Sequence, residues 1–288
     1  MQIAVLLACH NRCATTIACL EGLSAQCLAQ HTELTIYLVD DGCTDGTGAA
    51  VAQRFPWVRI IPGDGNLYWT GGMRLAWCSA SAAADYDGYL WLNDDVKLFP
   101  EAVATLVRSC QDAAAAGRPG IILGSTCDPD NGQPSYGGHW GDKIVEPSLE
   151  MQACGRMNGN MVLVSSRVFK VVGNLSPDFS HLFGDIDYGF RARNAGFELW
   201  IAPGFLGQCR RNPCPPWADP SVPFFQRWRS LHRLTAYPLR ENYLFCKRHY
   251  KWRGLIRILK LYLRVLFPGP WNGLKHLSGR SESCSGTN

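Results

Sequence analysis

The chain has 288 residues, of which 47% are hydrophobic and 18% are charged. This composition supports one large folded domain, or one domain with an appendage, and excludes a disordered chain. Residues 1–226 hold 15 basic and 22 acidic residues (−7), whereas residues 227–288 hold 13 basic and 2 acidic ones (+11). An acidic body with a basic tail disfavours a protein whose whole surface grips nucleic acid.

Short apolar runs alternate with segments of helical periodicity along most of the chain. Because the apolar runs are continuous, they indicate a mostly parallel sheet covered on both faces, in an α/β fold of the doubly wound type. Residues 128–156 are rich in Gly, Pro and Asn and predict loops and hairpins that belong to an acceptor site. The predicted strands are 3–8, 34–39, 58–61, 89–92, 121–124 and 161–164, and the predicted helices are 15–29, 45–55, 70–84, 100–116 and 183–195.

The ends and the cysteines indicate a cytoplasmic protein. The first apolar run, residues 3–8, has no basic residue before it and predicts a buried strand, not a signal peptide. No run of about 18 uncharged apolar residues is present, so we expect no membrane-spanning helix. The 13 cysteines form no Cys-x-x-Cys pair and are expected to be reduced thiols.

We place a domain boundary between residues 215 and 216, which separates a catalytic body, 1–215, from a basic C-terminal region, 216–288. In that region Arg253, Arg257, Lys260 and Arg264 follow each other at helical spacing, with apolar residues between them. A basic amphipathic helix favours an anionic membrane surface. The alternative is that its apolar face packs on the body or on a second subunit.

Asp94 and Asp95 follow the strand predicted at residues 89–92. Ligands of parallel sheets bind beyond the carboxyl ends of the strands, so we expect both carboxylates in the ligand crevice. Adjacent carboxylates are costly unless a positive group neutralises them. Mg²⁺ or Mn²⁺ bound to phosphate oxygens is one such group, and a solvated turn without metal is the alternative.

Two further acidic motifs follow the same logic. Asp41 comes after the strand predicted at residues 34–39 and can accept hydrogen bonds from a nucleobase or ribose, whereas Asp45 is suited to cap the next helix. Asp185 and Asp187 stand at a predicted helix start. A carboxylate there is either part of a charged first turn or a general base for a reacting hydroxyl.

Taken in order, these motifs resemble the inverting family 2 glycosyltransferases of GT-A fold, over roughly residues 2–207. The resemblance implies a GT-A-like sheet and a nucleotide-sugar donor. The stretches that carry it are Cys9-His10-Asn11-Arg12, Val39-Asp40-Asp41-Gly42, Asn66 to Gly72, Asn93-Asp94-Asp95, Asn158-Gly159-Asn160-Met161, and Gly184-Asp185-Ile186-Asp187 followed by Arg191 and Gly196.

The resemblance implies roles for the donor-side residues. Asp41 would contact the base or ribose of the nucleotide-sugar, with Asn11, Asn66 and Asp94 as further donor-binding residues. Asp95 would hold Mg²⁺ or Mn²⁺ on the diphosphate, where the metal stabilises charge on the departing nucleoside diphosphate.

On the acceptor side, Asp185 would take the proton from a hydroxyl as it attacks the anomeric carbon, and a single displacement would invert that carbon. Asp187 and Arg191 would organise the loop and helix. Asn93 stands where the first Asp of a DxD motif usually lies and cannot add charge to the metal. Gly184 stands where the family often has Glu, and the spacing to Arg191 favours Asp185 as the base.

The implied activity is transfer of one sugar, or very few, from a UDP-, dTDP- or GDP-sugar to a glycan or lipid-linked acceptor in lipopolysaccharide, O-antigen or exopolysaccharide synthesis. A processive synthase is disfavoured because Gln226-Arg227-Trp228 lacks the QxxRW spacing. The tail would place the enzyme on the inner face of the cell membrane. The alternatives are a non-catalytic nucleotide-sugar or glycan-binding module, and a sugar nucleotidylyltransferase, which would need a Gly-rich loop where Cys9 to Cys13 has no glycine.

Overall fold

The computed structural model describes residues 1–269. The strands are β1 (Gln2–Cys9), β2 (Glu33–Asp40), β3 (Arg59–Pro62), β4 (Gly88–Leu92), β5 (Lys97–Leu98), β6 (Gly120–Cys127), β7 (Pro134–Tyr136), β8 (His139–Trp140), β9 (Lys143–Ile144), β10 (Gln152–Ala153), β11 (Met161–Ser165) and β12 (Glu198–Gln208). The α-helices are α1 (Cys13–Ser24), α2 (Thr47–Arg54), α3 (Tyr68–Ala83), α4 (Ala102–Ala115), α5 (Ser166–Val172), α6 (Gly184–Asn194), α7 (Phe224–Leu231), α8 (Leu239–His249) and α9 (Arg253–Leu266).

The central sheet is mixed and mostly parallel, with the order β10-β12-β6-β11-β4-β1-β2-β3. β1 lies parallel to β2 and β4, β2 to β3, and β6 to β12. β11 runs antiparallel between β4 and β6. The predicted α/β fold with a mostly parallel sheet is confirmed, and the carboxyl ends of β1, β2 and β4 meet at one edge.

Helices cover both faces of this sheet, as the continuous apolar strands predicted. Apolar side chains of α1, α2 and α4 pack on one face, and those of α3, α5 and α6 pack on the other. Successive residues of β1 alternate between the two layers: Ile3, Val5 and Leu7 enter one core, whereas Ala4 and Leu6 enter the other.

The longest strand beyond the predicted ones is β12, which the sequence analysis missed. Its apolar run is interrupted by Pro203, Gly204 and Gly207, and its pairing with β6 shifts register between Ile201 and Phe205 and again before Gly207. Such irregular strands lack the continuous apolar pattern on which a prediction depends.

The described chain forms two compact units. The first comprises residues 1–177 and 184–210 and contains the sheet, and the second comprises residues 178–183 and the described residues from 211 onward. In the second unit, the Arg227 guanidinium donates to the Val265 carbonyl from Nε and Nη2, both at 3.1 Å, which fastens α7 to α9. The predicted boundary between residues 215 and 216 remains a prediction, and the part of the tail after residue 269 lies outside the described residues.

The basic residues of α9 do not all face solvent, although their helical spacing suggested an exposed basic stripe. Arg264 is buried with its guanidinium over Trp217, 5.0 Å from the ring centroid, and Arg257 is half-buried and donates to the Tyr250 hydroxyl at 3.0 Å. The helix instead exposes what we call the apolar stripe of α9: Leu255, Ile256, Leu259, Leu263 and Leu266. None of the helices within residues 1–269 has the length and apolarity that crossing a bilayer requires.

Candidate active site

Asp41 organises the loop between β3 and α3. Its side chain is buried, and its carboxylate accepts hydrogen bonds from the backbone N–H groups of Gly65 at 2.8 Å, Leu67 at 3.1 Å and Tyr68 at 3.2 Å. Three charge-assisted bonds to one carboxylate fix the shape of that loop. The predicted contact of Asp41 with a nucleotide stays a prediction, and the structure adds this structural role.

The loops after β1 and β2 are joined at the same place. His10 Nδ1 lies 2.6 Å from the Asp41 carbonyl oxygen, and the Asn11 side-chain oxygen accepts from the Thr44 N–H at 2.7 Å. A Cβ on Gly42 would lie 2.8 Å from the Cα of Gly65, so this crossing needs glycine. The two loops therefore present Asn11 beside the Asp41 loop, as expected for one binding surface.

Asn66 lies in the loop that Asp41 holds, on its exposed side. Its N–H donates to the Asp64 carboxylate at 2.8 Å, and its side-chain amide donates to the Asp64 carbonyl at 3.3 Å. These bonds are local turn contacts, so the predicted donor-binding role of Asn66 remains a prediction.

Arg12 supplies the positive partner that the adjacent carboxylates require. Its Nη1 donates to Asp94 at 2.9 Å and to Asp95 at 3.0 Å, and Thr16 donates to the other oxygen of Asp94 at 3.2 Å. Burial raises the pKa of Asp94, although Arg12 and Thr16 favour its ionised form. The sequence analysis assigned no role to Arg12, but it is the basic residue of the motif that ends β1.

Asp95 is the more accessible of the two carboxylates, with 29% of its side chain exposed against 5% for Asp94. One Asp95 oxygen bonds Arg12, and the other lies 3.6 Å from the Cys209 thiol, a weak donor. A half-exposed carboxylate beside a second one fits the hard oxygen ligands that Mg²⁺ or Mn²⁺ takes together with substrate phosphates. Arg12 competes with any such ion for the same oxygens.

Trp69 connects the Asn93-Asp94-Asp95 motif to Asp185. Its indole N–H donates to the Asn93 side-chain oxygen at 2.7 Å. A Cβ on Gly159 would lie 2.6 Å from the Trp69 ring and 3.1 Å from the Asp185 Cβ, so only glycine fits between them. The structure places the Trp69 ring between the two acidic motifs, where it also packs against the apolar core.

The Asp185 carboxylate is held by two backbone groups. Oδ2 accepts from the Gly159 N–H at 2.8 Å and Oδ1 from the Ile186 N–H at 2.7 Å. Desolvation by the surrounding protein raises the pKa of Asp185 to about 6, against the opposing effect of these bonds and of Arg156. A carboxylate fixed in this way, and titrating just below neutrality, has the properties of a general base.

Asp187 has a different environment from Asp185. It is fully buried and pairs with Arg191 Nε at 2.9 Å, while the two other guanidinium nitrogens donate to the carbonyls of Val172 and Asn174, both at 2.9 Å. Asp187 and Arg191 therefore tie α6 to the segment after α5. This geometry agrees with the secondary, organising role expected for both.

Within residues 1–269, one group of side chains has the compactness of a metal site, and it is not the predicted one. Cys9, Asp40 and Cys43 place one ligand atom each within 4.8 Å of one another, with the two sulfurs 3.9 Å apart. Burial raises the pKa of both thiols, which disfavours the thiolates that would bind a metal.

Replacing Asp41 with Ala should destabilise the protein, because three backbone N–H groups lose a charged acceptor. We expect a loss of about 2–3 kcal/mol in the free energy of unfolding, measured by urea denaturation followed by circular dichroism. Asp64→Ala is the matched control, since Asp64 lies in the same loop but is exposed, and it should cost under about 1 kcal/mol. Equal costs for the two variants would refute the structural role of Asp41.

Comparison with known proteins places this geometry in a family. Residues 4–146 match the profile of Glycosyl transferase family 2. The chain is 26% identical over 202 residues to the N-acetylglucosaminyl-diphospho-decaprenol L-rhamnosyltransferase of two Mycobacterium tuberculosis strains, CDC 1551 / Oshkosh and H37Rv. That alignment covers 61% of this chain and 66% of the relative, just under two thirds of its length.

A solved structure supports the fold. The crystal structure of S. aureus TarS superposes with a TM-score of 0.53 at 11% sequence identity, over 87% of this chain and 44% of the TarS chain. The chain thus spans less than half of TarS, and the likeness concerns the fold alone. The matched profile places residues 4–146 in the family 2 glycosyltransferases, and the likeness to TarS shows that the fold is of the GT-A type.

Proposed function

We propose that the protein is an inverting glycosyltransferase that moves one sugar from a nucleotide-diphosphate sugar to a hydroxyl of a glycan or lipid-linked acceptor. The observation that carries the proposal is Asp185, a carboxylate fixed by two backbone N–H groups with a pKa near 6. A base with these properties can accept the proton of an attacking hydroxyl at neutral pH. Family membership supports sugar transfer as the reaction class.

The donor side of the proposal involves Asp95. Asp95 would hold Mg²⁺ or Mn²⁺ against the diphosphate, and the ion would neutralise charge that develops on the leaving group. Asp41, Asn11, Asn66 and Asp94 would shape the nucleotide pocket around it. In this scheme the chain holds Asp95 just after the end of β4. Trp69 contacts the same motif through Asn93 and lies against Gly159, next to Asp185.

The acceptor class is suggested by the mycobacterial relative, which is named for transfer of L-rhamnose to N-acetylglucosaminyl-diphospho-decaprenol. On that likeness we propose a rhamnosyl or hexosyl donor and a lipid-linked acceptor in cell-surface polysaccharide synthesis. A lipid-linked acceptor of this kind would lie in a membrane, where the enzyme would have to reach it.

The first prediction of the proposal concerns turnover. With Mn²⁺ and a panel of UDP-, dTDP- and GDP-sugars, the protein should release nucleoside diphosphate from at least one donor when an acceptor is present. Asp185→Asn should keep donor binding and lose transfer by about 10²- to 10⁴-fold, because the general base is gone. Asp95→Asn should lose metal-dependent nucleotide binding.

The control is Asp112→Asn, an exposed carboxylate on α4, which should transfer normally. Normal transfer by Asp185→Asn would remove the base from the proposal. No turnover of any donor, together with no metal-dependent nucleotide binding, would contradict the proposed function as a whole.

The second prediction concerns pH. A base must be ionised to accept a proton, so protonation of Asp185 should abolish activity. Because burial raises its pKa to about 6, kcat/KM should be at a plateau above that pH and fall about tenfold per pH unit below it. A profile that stays flat down to pH 4, where an ordinary carboxyl titrates, would show that Asp185 is not the base.

The C-terminal unit is proposed to bind the membrane through α9. The exposed apolar stripe of α9 is flanked by exposed Arg253 and Lys260, and each basic residue near an anionic surface contributes about 1 kcal/mol. The apolar side chains, and not the basic stripe as a whole, would enter the interface, since Arg264 is buried.

Flotation with vesicles that contain anionic lipid tests this surface. The wild-type chain should float, and Leu255→Asp with Leu259→Asp should stay at the bottom because two stripe residues become charged. Leu149→Asp is the control, since Leu149 is 94% exposed outside the C-terminal unit. Absent binding, or binding that does not weaken with salt, would count against an anionic membrane partner.

A further inference from the structure

The guanidinium of Arg156 is the unexplained charge near the candidate base. Arg156 is only 7% exposed, and its Nη2 atom is buried with no hydrogen-bond partner among the described residues. An arginine stays protonated in proteins, so it cannot escape this cost by losing its charge. Burying an unpaired charge costs several kcal/mol, so such an arrangement indicates that its partner comes from outside the chain.

The position of Arg156 is fixed by the backbone. The His139 N–H donates to the Arg156 carbonyl at 2.8 Å, and the Arg156 N–H donates back to the His139 carbonyl at 3.0 Å. Three residues later, the Gly159 N–H donates to Asp185. One short segment therefore carries both the buried guanidinium and a group that orients the base.

Arg156 and Asp185 influence each other electrostatically without being bonded as a pair. The positive charge of Arg156 opposes the rise that burial causes in the pKa of Asp185. The Asp185 carboxylate accepts its hydrogen bonds from the backbone N–H groups of Gly159 and Ile186. The N–H groups of the Arg156 guanidinium therefore remain available for a ligand. A guanidinium fork fits a phosphate bidentately, better than any neutral partner does.

A phosphate bound by Arg156 could belong to the donor or to the acceptor, and the face of the sugar on which Asp185 acts decides between them. This step rests on the proposed function. In a single displacement the acceptor and its base approach the sugar on the face opposite the leaving nucleoside diphosphate. Arg156, whose charge acts on Asp185 and whose segment supplies the Gly159 N–H that holds Asp185, is therefore on the acceptor side. We infer that Arg156 is a positioning residue that binds a phosphate group of the acceptor, which makes the substrate class a phosphate-linked saccharide.

Acceptor comparison tests the inference. The rates are measured for one saccharide presented either as a lipid diphosphate or as an uncharged alkyl glycoside, with wild type, Arg156→Met, Arg156→Lys and the exposed-site control Arg108→Met. Arg156→Met should lower kcat/KM for the diphosphate acceptor by about 10- to 100-fold, mostly through KM, and leave the uncharged acceptor nearly unaffected. Arg156→Lys should recover part of the loss, and Arg108→Met should show none.

Binding provides a readout that does not need turnover. With nucleoside diphosphate and Mg²⁺ both in excess, so that the donor pocket stays saturated, inorganic diphosphate should bind wild type and Arg156→Lys but not Arg156→Met. Nucleoside diphosphate itself should bind all of them equally. Arg156→Met should also move the acidic limb of the pH profile upward, because Asp185 loses a favourable charge, whereas a purely structural defect would leave that limb in place.

Three results would overturn the inference: equal losses with both acceptors, weaker nucleoside diphosphate binding by Arg156→Met, or inorganic diphosphate bound equally by wild type and Arg156→Met. Thermal denaturation checks the fold, and removing an unpaired buried charge should not lower the Tm. Failure of the proposed function would look different from failure of this inference, because the wild type would then turn over no donor with either acceptor.

Discussion

The site depends on the hydrogen-bond donors and the positive charge that stabilise the carboxylates at one edge of the sheet. Parallel strands send the residues after β2 and β4 to the same crevice, where burial and the neighbouring Asp95 raise the pKa of Asp94. Asp41 is stabilised by three backbone N–H groups, and Asp94 and Asp95 share one guanidinium from Arg12. The same bonds therefore stabilise the loops of the fold and supply each of these carboxylates with a hydrogen-bonding partner.

The second constraint is the distance between the Asn93-Asp94-Asp95 motif and Asp185, the residues proposed for the donor side and for the base. Trp69 bridges it, since its indole N–H bonds Asn93 and its ring packs on Gly159 beside Asp185. An aromatic ring is rigid, so Trp69 fixes the spacing between the two acidic motifs. Asn93, at the first position of the DxD-like motif, accepts the indole hydrogen bond, and the carboxylates of the motif are Asp94 and Asp95.

The structural features that could be predicted from the sequence are those encoded within a single strand or helix. Continuous apolar runs predicted β1, β2, β4 and β6, and the acidic residues after them marked the strand ends. The partners of those residues were not predictable, because Asp41 meets Gly65 and Tyr68 across 24 and 27 positions of chain. Periodicity placed Arg264 and Leu259 on opposite sides of a helix but could not say which side faces the protein, since that depends on Trp217 and Arg227 elsewhere.

The proposed reaction is a single displacement at the anomeric carbon, with Asp185 as the base on the face opposite the leaving diphosphate. The most direct measurement is the anomeric configuration of the first product, read by proton NMR before any spontaneous anomerisation, with a donor of known configuration. The account predicts that the transferred sugar has the configuration opposite to that of the donor. Retention of the donor configuration would contradict a single displacement, because one attack on the face opposite the leaving group inverts the anomeric carbon.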